Sequence, residues 1–226
     1  MIDTEEKAYF LGFFYADGYN AKYKREITIT LNEDDEDILQ AFKTLFSYSG
    51  EIKRHPEKLN SNGYMIRPTV ELSISSTYLT KKLEELGAPQ NKSFVIEFPT
   101  WLPKDLYRHF IRGYFDGDGC ITWRRGCSKQ LGSHFIVNEK FSQGLQEVLK
   151  NEGFATIEHS ITTNNCDSRI KKLNLRGACS KPFLDWIYTD SKIKCTRKYN
   201  RYYSFYYEGK PISPYKIPRG KVIQKD

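Results

Sequence analysis

The chain has 226 residues, 39% apolar and 28% charged, enough for one large domain or two small ones with a real core. Its net charge of +7 is unevenly spread: residues 1–100 hold 12 basic and 16 acidic side chains, residues 101–226 hold 23 and 12, and such an excess suits a polyanion. Composition excludes a membrane span, which needs ~18–20 apolar residues in a row, and the acidic start Met1-Ile2-Asp3-Thr4-Glu5-Glu6 lacks a signal peptide's basic region.

In chain order, the first predicted element is a helix over residues 4–16, with Thr4 as N-cap and Glu5 and Glu6 in the first turn. It runs into YFLGFFYADG at residues 9–18. Residues 26–32 alternate apolar Ile27, Ile29 and Leu31 with polar Thr28, Thr30 and Asn32, the pattern of a half-buried strand. Ile38, Leu39, Phe42, Leu45 and Phe46 then recur at helical spacing, and Gly50 closes that helix. A short strand at 52–54, a loop at 55–63, a strand at 65–75 and a helix at 77–86 complete this half. Residues 88–103, with three prolines, form the linker.

The second half opens with FIRGYFDGDG at residues 110–119. Strands are expected at 120–125 and 134–138, then an amphipathic helix at 139–152 carrying Phe141, Leu145, Val148 and Leu149, stopped by Gly153. A loop at 162–167, a strand at 169–176 and a helix at 180–188 follow. Residues 192–226 hold ten basic and two acidic side chains, with six aromatics between Tyr199 and Tyr207. The final residues, from Pro211 through Pro214 and Pro218 to the end of the sequence, are expected to be poorly ordered. Five cysteines (Cys120, Cys127, Cys166, Cys179, Cys195) form no CxxC pair and the four histidines are dispersed, so buried thiols in a reducing compartment are expected rather than zinc or disulfides.

The two motifs are a repeat. At an offset of 101 residues, Gly12, Asp17 and Gly18 fall on Gly113, Asp118 and Gly119, and Ala16 falls on Gly117. Leu31-Asn32-Glu33 likewise answers Val137-Asn138-Glu139. The unit reads helix–strand–strand–helix–strand–strand–helix twice, dividing the chain into residues 1–100 and 101–226. Gly12 and Ala16 lie four apart on one helix face, as do Gly113 and Gly117, so two backbones can approach closely there. Gly18 and Gly119 are read as left-handed turns at the helix ends. Packing the helices together sets Asp17 beside Asp118, each at a helix C-terminus where negative charge is disfavoured by ~0.3–1 kcal/mol. Mutual repulsion adds to that cost, and a divalent cation held by the acids and water would relieve it.

These residues resemble the LAGLIDADG homing endonucleases, in the single-chain form with two motif copies, over about residues 5–203. The resemblance implies an α+β fold of two pseudo-symmetric αββαββα repeats, with motif helices at the central interface and saddle-shaped antiparallel sheets on DNA. It implies hydrolysis of both DNA strands at a long asymmetric site, leaving short 3′ overhangs, with two or more Mg²⁺ ions for which Mn²⁺ can substitute. Asp17 and Asp118 then hold the metal, with Ala16 and Gly117 beside them. Glu33 and Glu139 occupy the position that organises attacking water, the alternative being plain helix-start acids. Lys92 fits the basic residue ending half one, and Lys198, with Lys194 as rival, its counterpart in half two. The sixth motif position, Tyr15 in one copy and Asp116 in the other, departs from a common pattern, and Asp116 is assigned capping or packing.

The outward strand faces are candidates for reading bases in the major groove. In half one they carry Thr28, Thr30, Lys53, Arg67, Glu71 and Ser73; in half two, Trp123, Arg125, His134, Lys172, Asn174 and Arg176. Half two, with Lys171 and Lys172 among its bases, is expected to supply more of the non-specific affinity. Expected partners are double-stranded DNA and, as an alternative, the chain's own intron RNA, with no membrane and as a monomer. An intracellular location follows, in a prokaryotic or phage-infected cytoplasm or in an organelle. Rival readings are a non-cleaving DNA-binding regulator on the same fold and an RNA maturase; an intein fits less well, because no splicing-like His-Asn end is present.

Overall fold

Thr4 begins the first helix as read: its hydroxyl accepts from the Lys7 N–H, and α1 runs Glu5–Asp17. The computed structural model describes residues 1–60, 63–123, 130–161 and 169–210. After α1 come β1 (Gly18–Ala21), β2 (Glu26–Asn32), α2 (Glu36–Leu45), β3 (Lys53–His55), β4 (Lys58–Leu59), β5 (Met65–Ile66), β6 (Thr69–Ser75) and α3 (Thr77–Glu85). The second series is α4 (Tyr107–Asp118), β7 (Gly119–Trp123), β8 (Leu131–Asn138), α5 (Glu139–Asn151), β9 (Thr156–Ser160), β10 (Ile170–Leu175) and α6 (Ser180–Tyr188). A further helix, α7 (Thr196–Tyr207), follows.

The architecture is α+β, with two antiparallel four-stranded sheets ordered β1-β2-β6-β3 and β7-β8-β10-β9. The two orders match strand for strand, as the repeat requires. Ile27, Ile29 and Leu31 pair with Ile74, Leu72 and Val70 to make one buried face, and Phe135 and Val137 face the core beside Leu173 in the other sheet. The opposite face of each sheet stays open. One hydrophobic core runs through both halves. Phe42 of α2 meets Tyr9, Phe10 and Phe13 of α1, and Phe141 of α5 stacks on Tyr114 of α4 at 4.3 Å.

The two motif helices meet backbone to backbone. A Cβ on Gly12 would lie 1.9 Å from the Phe110 carbonyl oxygen, and one on Gly113 2.0 Å from that of Tyr9. One turn on, a Cβ on Gly117 would lie 2.4 Å from the Ala16 methyl. No side chain fits at the first two positions. At the far end of this contact, the fully buried Arg112 guanidinium of α4 donates to Glu5 of α1 and to the Ile187 and Ile193 carbonyls.

Several expectations need correction. Gly18 and Gly119 are not left-handed: φ/ψ is −75°/147° and −84°/155°, extended backbone that enters a strand directly. Glycine is needed there for space, because a Cβ would lie 2.2 Å from the Phe14 ring and 2.3 Å from the Phe115 ring. The strand expected at 65–75 is broken at Arg67-Pro68, and its first part pairs with β4 inside the expected loop. Pro68 lacks the N–H a continuous ladder would use. The basic stretch after residue 192, which has no aliphatic stripe, forms helix α7 with Tyr202 buried. Among the described cysteines, Cys195 is buried as a free thiol, whereas Cys120 and Cys179 are half-buried. The 162–167 loop and the final residues from Pro211 lie outside the described residues.

Gly12→Ala and Gly113→Ala should each destabilise the protein by at least ~1–3 kcal/mol, the usual overpacking cost, because a backbone carbonyl cannot turn aside as a side chain can. Thermal unfolding checks this, and an unchanged Tm for both variants would contradict the helix contact.

Candidate functional site

Close packing of α1 and α4 brings their C-termini, and with them Asp17 and Asp118, to one place. Asp17 is open to solvent and Asp118 is half-buried, but protein surrounds both closely enough to displace much of their water. That loss of water raises the Asp118 carboxyl to about 6, with the Asp17 charge adding to the shift and Lys92 and Lys198 opposing it. Asp17 is raised for the same first reason, against the pull of Lys198 and Lys92.

Each acid has a buried lysine near it, and each lysine closes a motif helix. Lys92 Nζ donates to the Ala16 carbonyl at 3.0 Å. Lys198 Nζ donates to the carbonyls of Phe115, Gly117 and Gly119 at 2.8, 2.9 and 2.6 Å. Cations at helix C-termini satisfy the orphan carbonyls and offset the macrodipole. Burial lowers the Lys92 ammonium, opposed by Asp118 and Asp17. Lys194 is turned elsewhere: it donates to the Ser191 carbonyl and sits 4.5 Å from the Tyr199 ring centre. Lys198 is therefore the lysine at the α4 terminus.

The sixth motif position serves packing in both copies. The buried Asp116 carboxylate accepts from the Tyr9 and Tyr188 hydroxyls and from the Cys195 N–H at 2.7–2.8 Å. Burial pushes this carboxyl up, while Lys198 and those donors pull it down. Tyr15, its equivalent in α1, donates to the Leu86 carbonyl.

Glu33 and Glu139 are both exposed at helix starts, and the structure gives no contact between either and the motif acids. Their asparagine neighbours are the capping residues: Asn32 accepts from the Asp34 N–H and Asn138 from the Phe141 N–H. Asp34, rather than Glu33, lines a recess of about 620 Å³ together with Asn32, Arg67, Gly117, Arg197 and Lys198. A smaller recess of about 190 Å³ lies on the other side, bounded by Asp118, Tyr15, Ala16, Tyr114 and Asn138.

Among the described residues, no group of three or more His, Cys, Asp or Glu side chains converges as a metal cage. Two carboxylates with solvent access suit a hard divalent cation that keeps much of its water. The Ala16 and Gly117 carbonyls each accept one lysine bond, which leaves a lone pair apiece. The all-oxygen donor set thus fits Mg²⁺ or Mn²⁺ at Asp17 and Asp118 and lacks the Cys and His ligands of a structural zinc site.

The open sheet faces carry most of the candidate reading residues. Thr28, Thr30, Lys53, Glu71 and Ser73 share the first, where Glu71 already pairs with Lys53 at 3.7 Å and His55 at 3.4 Å. Arg67 lies off the strands, in the larger recess. Lys172, Asn174 and His134 share the second face, which has its own cavity of about 580 Å³ reached also by Trp123 and Arg176. Burial first, then Lys172 and Lys198, lowers His134 to about 4, so it is neutral at physiological pH. Trp123 stands at the end of β7 with its ring edge-on to Phe205 at 5.6 Å. Lys171, expected among the groove-facing bases, is paired with core-facing Val137 and so points to the helix side. Arg54 likewise turns to Glu36 of α2 at 2.6 Å. Arg125 lies outside the described residues. Sequence reading missed His159 and Ile157, which stand beside Lys172 and Asn174 on the open face; β9 has no apolar alternation to reveal it.

Residues 105–181 match the model of the LAGLIDADG-like domain. The chain is 32% identical over 114 residues to the DNA-directed RNA polymerase subunit Rpo1C of Methanocaldococcus jannaschii, covering 50% of this chain. It is 26% identical over 176 residues to the tRNA-splicing ligase RtcB of Pyrococcus abyssi, covering 72% of this chain. These matches span 12% and 19% of the two relatives. Among solved structures, the fold matches the homing endonuclease I-WcaI bound to its DNA recognition sequence, with a TM-score of 0.64, 12% identity and coverage of 88% of this chain and 87% of that one. It matches a variant of I-DmoI in complex with its target DNA in the presence of Mn at TM-score 0.51 and 15% identity, over 83% and 95% of the two chains. Full-length DUF199/WhiA from Thermatoga maritima matches at TM-score 0.51 and 18% identity, over 93% of this chain and 62% of that one. The chain therefore has the fold of these homing endonucleases, and its residues 105–181 are similar to the LAGLIDADG-like domain.

Asp118 holds its proton to about pH 6 in the folded state, against an ordinary value of 3.8, so stability falls as pH rises through that window. At ~1.4 kcal/mol per unit of pKa, and with some solvent screening, Asp118→Asn should gain roughly 2 kcal/mol at pH 7 without divalent metal. The gain should vanish near pH 4, and Mg²⁺ should raise the Tm of the parent but not of the variant. Identical unfolding curves at every pH would contradict the raised Asp118 carboxyl.

Proposed function

We propose that this chain is a divalent-metal-dependent, site-specific DNA endonuclease of the homing type, which hydrolyses both strands of a long asymmetric site and leaves short 3′ overhangs. The observation that carries the reading is the pair Asp17 and Asp118, brought together at the ends of two closely packed helices with a buried lysine at each end. Two carboxylates raised by loss of water, Asp118 further by the Asp17 charge, call for a counter-cation, and their position between two open sheet faces fits a duplex lying across both. A bound divalent cation would neutralise the phosphate and activate water for in-line attack.

The chain's own residues supply the rest of the mechanism. Asp17 and Asp118 hold the metal, with the Ala16 and Gly117 carbonyls at its edge. Lys92 and Lys198 keep the two helix ends in place and bring positive charge to the scissile phosphates. Glu33 and Glu139 remain candidates for organising attacking water only if DNA draws them inward; Asp34 already lines the larger recess and is the better candidate on its side. The open faces read the sequence, half one through Thr28, Thr30, Lys53, Glu71 and Ser73, and half two through His134, Lys172, Asn174 and Arg176. With the two halves unlike in sequence, the preferred site is asymmetric, and with both acids on one chain a monomer suffices. Recurrence of a related segment as a small share of proteins with unlike names supports a unit that travels between genes.

A second reading, a non-cleaving DNA-binding regulator, is favoured by the likeness to WhiA. An RNA maturase acting on the chain's own intron is a third. Incubation with the host locus rejoined across the insertion separates them, since cleavage, silent binding and splicing are distinct products. Asp17→Asn and Asp118→Asn should each abolish double-strand cleavage in Mg²⁺ while keeping specific binding; full cleavage by either variant would sink the assignment.

Lys172→Ala should reduce the salt slope of DNA binding by about one phosphate's worth, ~0.9 in log K against log salt, while Lys171→Ala should leave it unchanged. Equal slopes for the two variants would mean that the open face of this sheet is not the DNA surface.

A further inference from the structure

Each lysine at a motif-helix end arrives on a segment that is fastened by the opposite half of the molecule. Lys198 belongs to the N-terminus of α7. Its neighbour Arg197 forms a two-pronged ion pair with Asp35 of the first half, Nε to Oδ1 at 2.9 Å and Nη2 to Oδ2 at 2.7 Å. Cys195 Sγ also points to Asp35, and the Thr196 hydroxyl bonds to Asp37 of α2. Asp35 is buried, just past the β2 corner where Asn32 caps the next turn.

The second half mirrors this. Lys92 lies in the linker, beside Asn91 with its left-handed φ of 59°. The segment is held by Asn138, whose amide donates to the carbonyls of Ser93 at 3.1 Å and Ile96 at 3.0 Å. Asn138 occupies the β8–α5 corner, the counterpart of the Asn32–Asp35 corner. The cross-over is reciprocal: the corner of half one holds the lysine that closes α4, and the corner of half two holds the lysine that closes α1.

We infer that Asp35, through Arg197, and Asn138, through the linker backbone, are positioning residues that each set one catalytic lysine in trans, so that each strand's chemistry depends on the other half's β-to-helix corner. This rests on the nuclease reading above. Neither residue lines up with DNA by itself; each acts through a lysine ammonium whose site is a set of main-chain carbonyls. Those carbonyls accept the lysine only when its backbone is at the right height along the helix end. A slack strap would therefore cost lysine placement before it cost the fold.

Two measurements on the whole chain test this. The first is lysine acylation by acetic acid N-hydroxysuccinimide ester, read by mass spectrometry. Lys92 and Lys198 should both be protected in the parent. Asp35→Asn should raise Lys198 labelling about tenfold, equivalent to ~1.4 kcal/mol of lost protection, and leave Lys92 protected. Asn138→Ser, which keeps a capping oxygen for α5 but removes the amide donors, should do the reverse. Should Asp35→Asn label every lysine through unfolding, Arg197→Lys provides the same test with the charge retained. The second measurement is strand-resolved cleavage of the rejoined host locus with the two strands labelled differently. Asp35→Asn should slow the same strand as Lys198→Met, Asn138→Ser the same strand as Lys92→Met, and Asp35→Glu should restore part of the rate. Exposure of both lysines by either variant, or equal slowing of both strands by each, would overturn the inference. If the parent cuts no DNA, the nuclease reading fails, and the labelling pattern still decides the crossed fastening.

Discussion

The contact between Gly12 and Gly113 is the constraint on which everything else depends. Carbonyls of the opposing helix occupy the places where two Cβ atoms would be, so α1 and α4 pack at backbone distance along their length. At an ordinary spacing of 8–10 Å between axes, two acids at the helix ends would stand apart as separate surface carboxylates. The close approach makes them one site. It also lets a single core run through both halves, because Tyr15 of α1 reaches Phe110 of α4 and Phe141 of α5. Architecture and charge pattern thus have a common cause in two missing side chains.

That cause creates an electrostatic cost which the surrounding residues only partly offset. Two helices end where two carboxylates sit, and both the macrodipoles and the carboxylates make the place negative. Lys92 and Lys198 answer the helix ends, since their ammonium groups bond to carbonyls rather than to the acids. The acids themselves keep raised values, Asp118 the more so for having Asp17 beside it. By contrast, Asp116, two residues earlier, is satisfied by three donors. Two aspartates of α4 thus differ in both burial and hydrogen-bond supply.

Where local pattern dominates, the sequence was legible. The repeat, the Thr4 cap, the alternation of β2 and β6 and the amphipathic α5 all follow from residue type and spacing, and the closeness of Asp17 to Asp118 follows from the small residues between them. What could not be read depends on contacts distant in sequence. The need for glycine at Gly18 and Gly119 comes from the Phe14 and Phe115 rings, which occupy the space of a Cβ, and not from a left-handed turn. Helix α7 is poorly marked because its inward face is Lys198 and Tyr202 rather than an aliphatic stripe; the lysine is buried only because α4 offers it carbonyls. The choice between Lys198 and Lys194 needed the Lys198 bonds to the α4 carbonyls, distant in sequence, and the turn of Lys194 to Ser191. Lys171 was miscounted because summed charge carries no parity, whereas a strand places alternate residues on opposite faces.

The two halves share a plan but not a surface, and the difference bears on how they would engage a polyanion. On the first open face Glu71 accepts from Ser73 and pairs with Lys53 and His55, so its cations are already answered and the face offers hydrogen bonds in fixed geometry. On the second, Lys172 stands next to a His134 held neutral partly by that lysine's charge, with Asn174 beside them. Its cation has no acid on the same face among the described residues of β7, β8 and β10. A duplex lying across both would meet a preorganised hydrogen-bonding surface on one side and a net positive one on the other. The +11 and −4 balance of the halves is therefore reflected in the sheets, though only through those basic residues whose strand parity turns them outward.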